Sequence, residues 1–312
     1  MVDATTALKQ KRVRSSKEDR TFYTVDVILL TLAFFVVLYP LVFILSSSFS
    51  DPYAVLAGEV WLFPVRPTLE GYRAVLAYND VWMGYGNTIF YAVVGTSVNV
   101  VLTMMVAYPL SRKDFVGRNP LMFLFTFTMF FSGGLIPLYL LVRNLGILNT
   151  RAAMIMPTAI GVWNVIITRT FLQFTIPGEL YDSARIDGAS NTRILLSVVV
   201  PLSGPVIAVI TLFYAVAHWN SFFPALIYLR SRNLLPLQMI LREILIMFQP
   251  RMLDEVMQTM DEAALEAMTR REFLQALLQY ALIVIATLPV LIAYPFVQKY
   301  FVRGVMIGAI KG

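Results

Sequence analysis

The residues in this chain whose types and spacing suit chemistry are few, and most lie in one stretch, Pro177 to Pro205. Glu179, Asp182, Ser183, Ala184, Arg185 and Asp187 form a polar, charged island between two long apolar runs. Pro177 and Gly178 break the run before it. Glu179 and Asp182 then fall where a new helix begins, beside its positive dipole end. Gly188 ends or sharply bends that helix, and an apolar helix starts near residue 194 with Pro201 and Pro205 inside it. Asp182 and Arg185, at i and i+3, can pair with each other. Asp187 is poorly placed to neutralise Arg185, because neighbours at i+2 point apart on a helix, so either charge is also free to meet a partner. The chemistry this suggests is mechanical rather than catalytic: a short helix, a glycine elbow and a second helix, lying on a membrane surface where a partner can push it. The plainer alternative is an ordinary loop with one helical turn.

Other chemistries find little support. No Gly-x-x-x-x-Gly-Lys-Ser/Thr phosphate loop occurs anywhere, so ATP hydrolysis by that route belongs to a separate chain. There is no cysteine, which excludes disulfides and thiolate metal sites, and the single histidine makes a histidine-built metal site improbable. The acidic run Asp254, Glu255, Asp261, Glu262 and Glu266 is interleaved with apolar residues at helical spacing, the pattern of a solvated helix face. The net charge of +6 is not a nucleic-acid signal, because the basic residues gather at the flanks of apolar segments.

The elements that must position the island follow from composition. With 58% hydrophobic and 14% charged residues, and a mean hydropathy of +0.70, the chain is far more apolar than soluble domains, which carry about 25% charged residues. The expectation is an all-α membrane protein with six transmembrane helices, each of roughly 20 residues. They fall at about 25–45, 87–110, 120–142, 152–174, 194–217 and 276–297. Gly133-Gly134 and Pro137 should kink or unwind the third. A signal peptide has a shorter apolar core, and Ser46 to Ser48 is a weak cleavage site, so the first helix is read as retained. Positive charges concentrate on residues 1–24, the loop 111–119, the region of Arg169, Arg185 and Arg193, and the tail 298–312. These segments, including the island at 175–193, are therefore read as cytoplasmic, and the loops 49–86 and 218–275 as outside. The chain divides into a cytoplasmic N-terminal segment (1–24), a transmembrane domain (25–297) and a cytoplasmic tail (298–312).

The island resembles the "EAA loop" of permease subunits in binding-protein-dependent ABC importers: Glu-Ala-Ala, three residues, Gly, nine residues, Ile-x-Leu-Pro. Here it reads Asp182-Ser183-Ala184, Gly188, then Val198-Val199-Val200-Pro201. The spacing, the glycine and the proline are kept, while Asp for Glu, Ser for Ala and Val for Ile and Leu are conservative departures. The tail from Gln298 through Lys311-Gly312 is similar to the C-terminal end of sugar-type members, and Phe130 to Pro137 and His218-Trp219-Asn220 resemble the oligosaccharide-uptake branch. The resemblance covers residues 25 to 312. It implies the type I importer permease fold in the inner or plasma membrane of a prokaryote. It also implies a second permease, more often a different chain, an ATPase dimer using ATP and Mg, and an extracytoplasmic solute-binding protein. Asp182, Ser183, Ala184, Arg185, Asp187, Gly188 and Pro201 would then be the ATPase-coupling residues, with no cofactor held by this chain and no enzymatic activity of its own.

A sugar path would need aromatic faces and amides, which stack on rings and bond hydroxyls. His218, Trp219, Asn220, Trp163, Asn164 and Tyr139 are the candidates, with helix packing as the competing explanation for each. Two other classes compete with an importer subunit. A membrane-embedded glycosyl-transfer enzyme needs clustered carboxylates at a membrane face. An ion-coupled secondary transporter needs inverted repeats and mid-membrane charges. The sequence displays neither pattern.

Overall fold

A computed structural model describes residues 16–248, Phe273, 278–292, Tyr294 and Pro295. The N-terminal basic cluster through Arg14, the acidic run at 254–266 and the tail 298–312 lie outside the described residues. All regular structure among the described residues is helical. The chain divides into two compact units, residues 1–68 and 69–312.

In the first unit, α1 (Lys17–Ser48) starts at a capping box in which Ser16 and Asp19 satisfy each other's backbone N–H groups. It stays exposed along its apolar length, as suits contact with lipid rather than protein. The serines read as a weak cleavage site are buried at its end. Ser46 Oγ donates to the Leu62 carbonyl at 2.6 Å, and Ser50 Oγ accepts from the Val65 amide at 3.1 Å. Asp51 caps the one-turn helix α2 (Pro52–Leu56).

The second unit opens with α3 (Glu70–Leu76) and α4 (Asn79–Phe90), which runs through a π-turn at Tyr91–Gly95 into α5 (Thr96–Ser111). A helix α6 (Arg118–Phe130) and α7 (Leu135–Asn144) follow, bent by 115° at the expected glycine pair, where Gly134 has a φ of +82°. Then come α8 (Arg151–Ile155), a 3₁₀ turn at Met156–Thr158, and α9 (Val162–Thr175). The island forms α10 (Gly178–Ile186). It is followed by α11 (Asn191–Ile194), a π-turn at Leu195–Val199, α12 (Val200–Leu202) and α13 (Gly204–Trp219). The stretch read as a long outer loop, 218–275, carries two helices where described, α14 (Phe222–Tyr228) and α15 (Leu237–Phe248), and α16 (Leu278–Ile292) falls within the expected sixth span.

Two helices, Asp19–Ser48 and Asn79–Ser111, are long and apolar enough to cross a membrane unbroken. Three bent pairs, α6–α7, α8–α9 and α11–α13, bring the number to five if each is one crossing. The expected six are thus not all found among the described residues, because three of the spans are bent at breaks marked by glycine or proline and only Leu278–Ile292 of the last is described as a continuous helix.

Of the apolar clusters in this unit, the two largest bear on the site. One gathers α4, α15 and α16 around Val81, Leu237, Ile240, Leu278 and Leu282. The approach is close: a Cβ on Gly84 would lie 2.7 Å from Ile240 Cδ1. Thr88 Oγ1 accepts from the first amide of α15 at 2.8 Å, and Asn87 Nδ2 donates to the Asn233 and Leu235 carbonyls. The other core gathers α5, α9, α10 and α11 around Met104, Leu110, Leu172, Tyr181 and Ile194.

Candidate functional site

The island is built as the residues suggested. Proline at 177 fixes an extended N-cap and Glu179 lies in the first turn. Gly188 has a φ of +72°. Its amide donates to the Arg185 carbonyl at 2.9 Å, and the Ala189 amide donates to the Ala184 carbonyl at 2.9 Å. Those two bonds make a Schellman stop, and Ala184 and Ala189 both pack on the second core, as the apolar contact of that motif requires. Ser190 Oγ then accepts from the Arg193 amide and starts α11. Tyr181 is the one fully buried side chain of α10, while Ile186 is 87% exposed, and Glu179, Leu180, Asp182, Ser183 and Asp187 are also exposed. α10 thus combines a buried anchor with an exposed face of mixed acidic and apolar residues. Pro201 lies in α12, one short helix beyond the elbow.

Arg185 pairs with neither Asp182 nor Asp187. Its partner is Asp114, in the loop after α5, through a hydrogen-bonded ion pair. Asp114 also accepts from Arg112 Nε at 3.0 Å, and the Arg112 guanidinium sits 3.9 Å above the Tyr181 ring. The hydrogen bonds from Arg112, and next from Arg185, hold the Asp114 carboxyl at about 2, well below its usual value. A cleft of about 300 Å³ opens here, lined by Arg112, Asp114, Gln173, Tyr181, Asp182 and Arg185. Arg169 Nε donates to the Leu110 carbonyl at 3.0 Å. Gln173, one turn on, reaches the Ser111 carbonyl, so two side chains of α9 satisfy the last carbonyls of α5.

The sugar-path candidates separate by burial. His218 is buried, with Nε2 2.6 Å from Asn99 Oδ1. The Asn99 amide nitrogen already donates to the Thr158 and Ala159 carbonyls, so its oxygen faces the histidine and Nε2 carries the proton. Trp219 is buried and donates to the Ala286 carbonyl at 3.0 Å. Asn220 is exposed and its amide turns back to the Val216 carbonyl. Trp163 is 61% exposed at the start of α9, just after the break, while its neighbour Asn164 is buried. Tyr139 stacks on Tyr228 with ring centroids 6.5 Å apart. The structure does not gather these six residues into one site.

Sequence reading missed Asp114 and Asn99. Asp114 did carry a signal, being the one carboxylate among the basic residues of the 111–119 loop. Asn99, a lone amide in an apolar run, carried none.

Comparison with known proteins places this architecture. Residues 99–307 match the family described as binding-protein-dependent transport system inner membrane component. The chain is similar to the polygalacturonan/rhamnogalacturonan transport system permease protein YtcP of Bacillus subtilis (strain 168), with 39% identity over 88% of this chain and 92% of that one. It is also similar to the arabinooligosaccharides transport system permease protein AraQ of Halalkalibacterium halodurans, with 27% identity over 91% and 96% of the two chains. Among solved structures, a chain of a bacterial ABC transporter involved in the import of the acidic polysaccharide alginate superposes with a TM-score of 0.79 at 35% identity. That match covers 92% of this chain and 99% of the other. This chain belongs to the binding-protein-dependent transport system inner membrane component family.

Proposed function

We propose that this membrane subunit forms part of the translocation path of an ATP-driven importer for oligosaccharides, and that α10 is where a separate ATPase pushes on it. The observation that carries the reading is the exposed, Schellman-stopped α10 at the spacing of the EAA loop, in a chain of this family. The full assembly comprises six spans with both termini in the cytoplasm, a second and different permease chain, an ATPase dimer holding ATP and Mg, and an extracytoplasmic solute-binding protein. The absence of a Gly-x-x-x-x-Gly-Lys-Ser/Thr phosphate loop from this chain supports placing the nucleotide on the separate ATPase.

The substrate we propose is an oligosaccharide bearing uronate carboxylates. The relatives named for galacturonan and alginate transport handle such polymers, and Arg143 and Arg151 make no ion pair among the described residues. Arg151 instead lies over the Phe90 ring at 4.2 Å, a guanidinium on an aromatic face with donors left for a carboxylate. Trp163, exposed beside the break in its span, offers a stacking surface. Asn220 and Tyr139 would add polar contacts, with His218, Trp219 and Asn164 fixing the helices behind them.

The test is reconstitution with the ATPase, second permease and binding protein that neighbouring genes should encode. Uptake of labelled oligogalacturonate that depends on ATP and on the binding protein is expected, with arabinooligosaccharide taken up poorly. Uptake without ATP, driven by an ion gradient, would overturn the importer reading. Preference for the neutral sugar would overturn the substrate.

A further inference from the structure

We propose that Asp114 is a positioning residue for coupling: it binds Arg185 of α10 to the end of α5, so that the docking helix and the transmembrane helix move as one body. The inference rests on α10 being the ATPase contact.

Three observations carry it. First, α10 is joined to the loop after α5 by side chains from both partners: Arg185 and Arg112 share the two oxygens of Asp114, and Arg112 lies over Tyr181, the buried anchor of α10. Second, that loop is itself fixed, because Arg169 and Gln173 of α9 donate to the Leu110 and Ser111 carbonyls where α5 ends. Force on α10 thus has a continuous path of hydrogen bonds into α5 and α9, which pack along each other. Third, the Asp114 and Arg185 side chains are 46% and 44% exposed. An ion pair that open to water adds little to stability, so geometry rather than folding is what it supplies.

Apolar packing of Tyr181 and Ala184 on the second core would still allow α10 to roll about its axis, since non-directional contacts fix position more than rotation. The Asp114–Arg185 link lies one turn further along α10 and removes that freedom. It acts only where the two arginines converge on one carboxylate, which the Schellman stop at Gly188 helps to arrange by fixing the end of the helix.

The experiment uses the complete importer in proteoliposomes, with cysteine-free partners, and reads sugar transported per ATP hydrolysed. The chain has no native cysteine, so engineered pairs are unambiguous. Asp114→Ala should assemble normally and keep basal ATP hydrolysis, yet lower the transport-to-hydrolysis ratio about tenfold, within the range of mutations on a coupling path. Asp114→Glu should recover most of it. In Asp114→Cys/Arg185→Cys, joining the two thiols with a short bis-thiosulfonate should restore the ratio and reduction should remove it again. A ratio within about twofold of wild type for Asp114→Ala, or a crosslink that halts transport, overturns the proposal. A third variant, Ile186→Cys, tests the reading beneath it. Crosslinking from Ile186 to the ATPase with no effect of Asp114→Ala sinks the positioning role alone. If Ile186 never reaches the ATPase, both fall.

Discussion

Two regions of the second unit use polar side chains in opposite ways. Around the break between α8 and α9, Asn99 and Tyr214 bond backbone groups that the break leaves without helical partners, and His218 bonds the Asn99 side chain from behind. Asn99 takes the Thr158 and Ala159 carbonyls, and Tyr214 takes the Gly161 amide at 2.9 Å while sharing a hydrogen bond with Thr103 at 2.8 Å. These bonds are buried or part-buried, so losing a partner strands a polar group and each bond holds the fold. At the end of α10 the polar groups are charged, half-exposed and able to exchange with water, so they set orientation and contribute little to stability. One network holds a discontinuity in place, and the other, on the coupling role proposed for α10, holds a moving part to its lever. Mutations in the first should lower stability and activity together, and mutations in the second should separate them.

The largest effect is expected for Asn99→Ala. It strands two carbonyls and the proton-bearing His218 nitrogen, and should cost about 3 kcal/mol, at the upper end for a buried network. Thermal unfolding of the purified subunit measures it, with a parallel loss of complex yield. A drop in transport with stability intact would assign Asn99 to the path and break the comparison. Tyr214→Phe removes one hydroxyl that serves both the Gly161 amide and Thr103, and should cost about 1.5 kcal/mol in the same assay.

How far these regions could be read from sequence differs for a physical reason. The α10 elbow was legible because each device in it is local: Pro177 at the start, Glu179 in the first turn, Gly188 at the positive φ, within twelve residues. The break at Gly134 was legible for the same reason. Asn99 meeting residues 158–159, and Asp114 meeting Arg185, are contacts between distant parts of the chain, and only packing brings them together. The ambiguity at Arg185 shows the limit. Helical spacing offered Asp182, yet an extended arginine found a carboxylate 71 positions away. The six-span expectation met the same obstacle, since apolar content reports length but not the breaks that split a crossing.

Gly188→Ala sharpens the comparison from the other side. No atom lies within 4 Å of the added Cβ, so the cost is backbone strain alone, about 1 kcal/mol for a left-handed residue. Stability should fall by that small amount, whereas the transport-to-hydrolysis ratio falls much further, because the Schellman stop sets where α10 ends. Equal proportional losses in unfolding temperature and transport would place the elbow with the interior network.

The smallest expected effect is that of pH on the Asp114 link. Its carboxyl is held at about 2 in the folded chain against an ordinary 3.8. The folded value lies below the unfolded one, so the contribution of the ionised group is complete above the ordinary value and is lost only as pH falls from there through about 2. Across about pH 5 to 8 the carboxylate stays charged. The gap in transport-to-hydrolysis ratio between the wild type and Asp114→Asn should therefore be constant over that range, whatever the pH dependence of the ATPase, which both share. A gap that closes toward pH 5 would mean that Asp114 is protonated at a far higher pH than two converging arginines allow. Such a carboxyl would not be clamped, and α10 would be held by the apolar packing of Tyr181 and Ala184 without a fixed rotation.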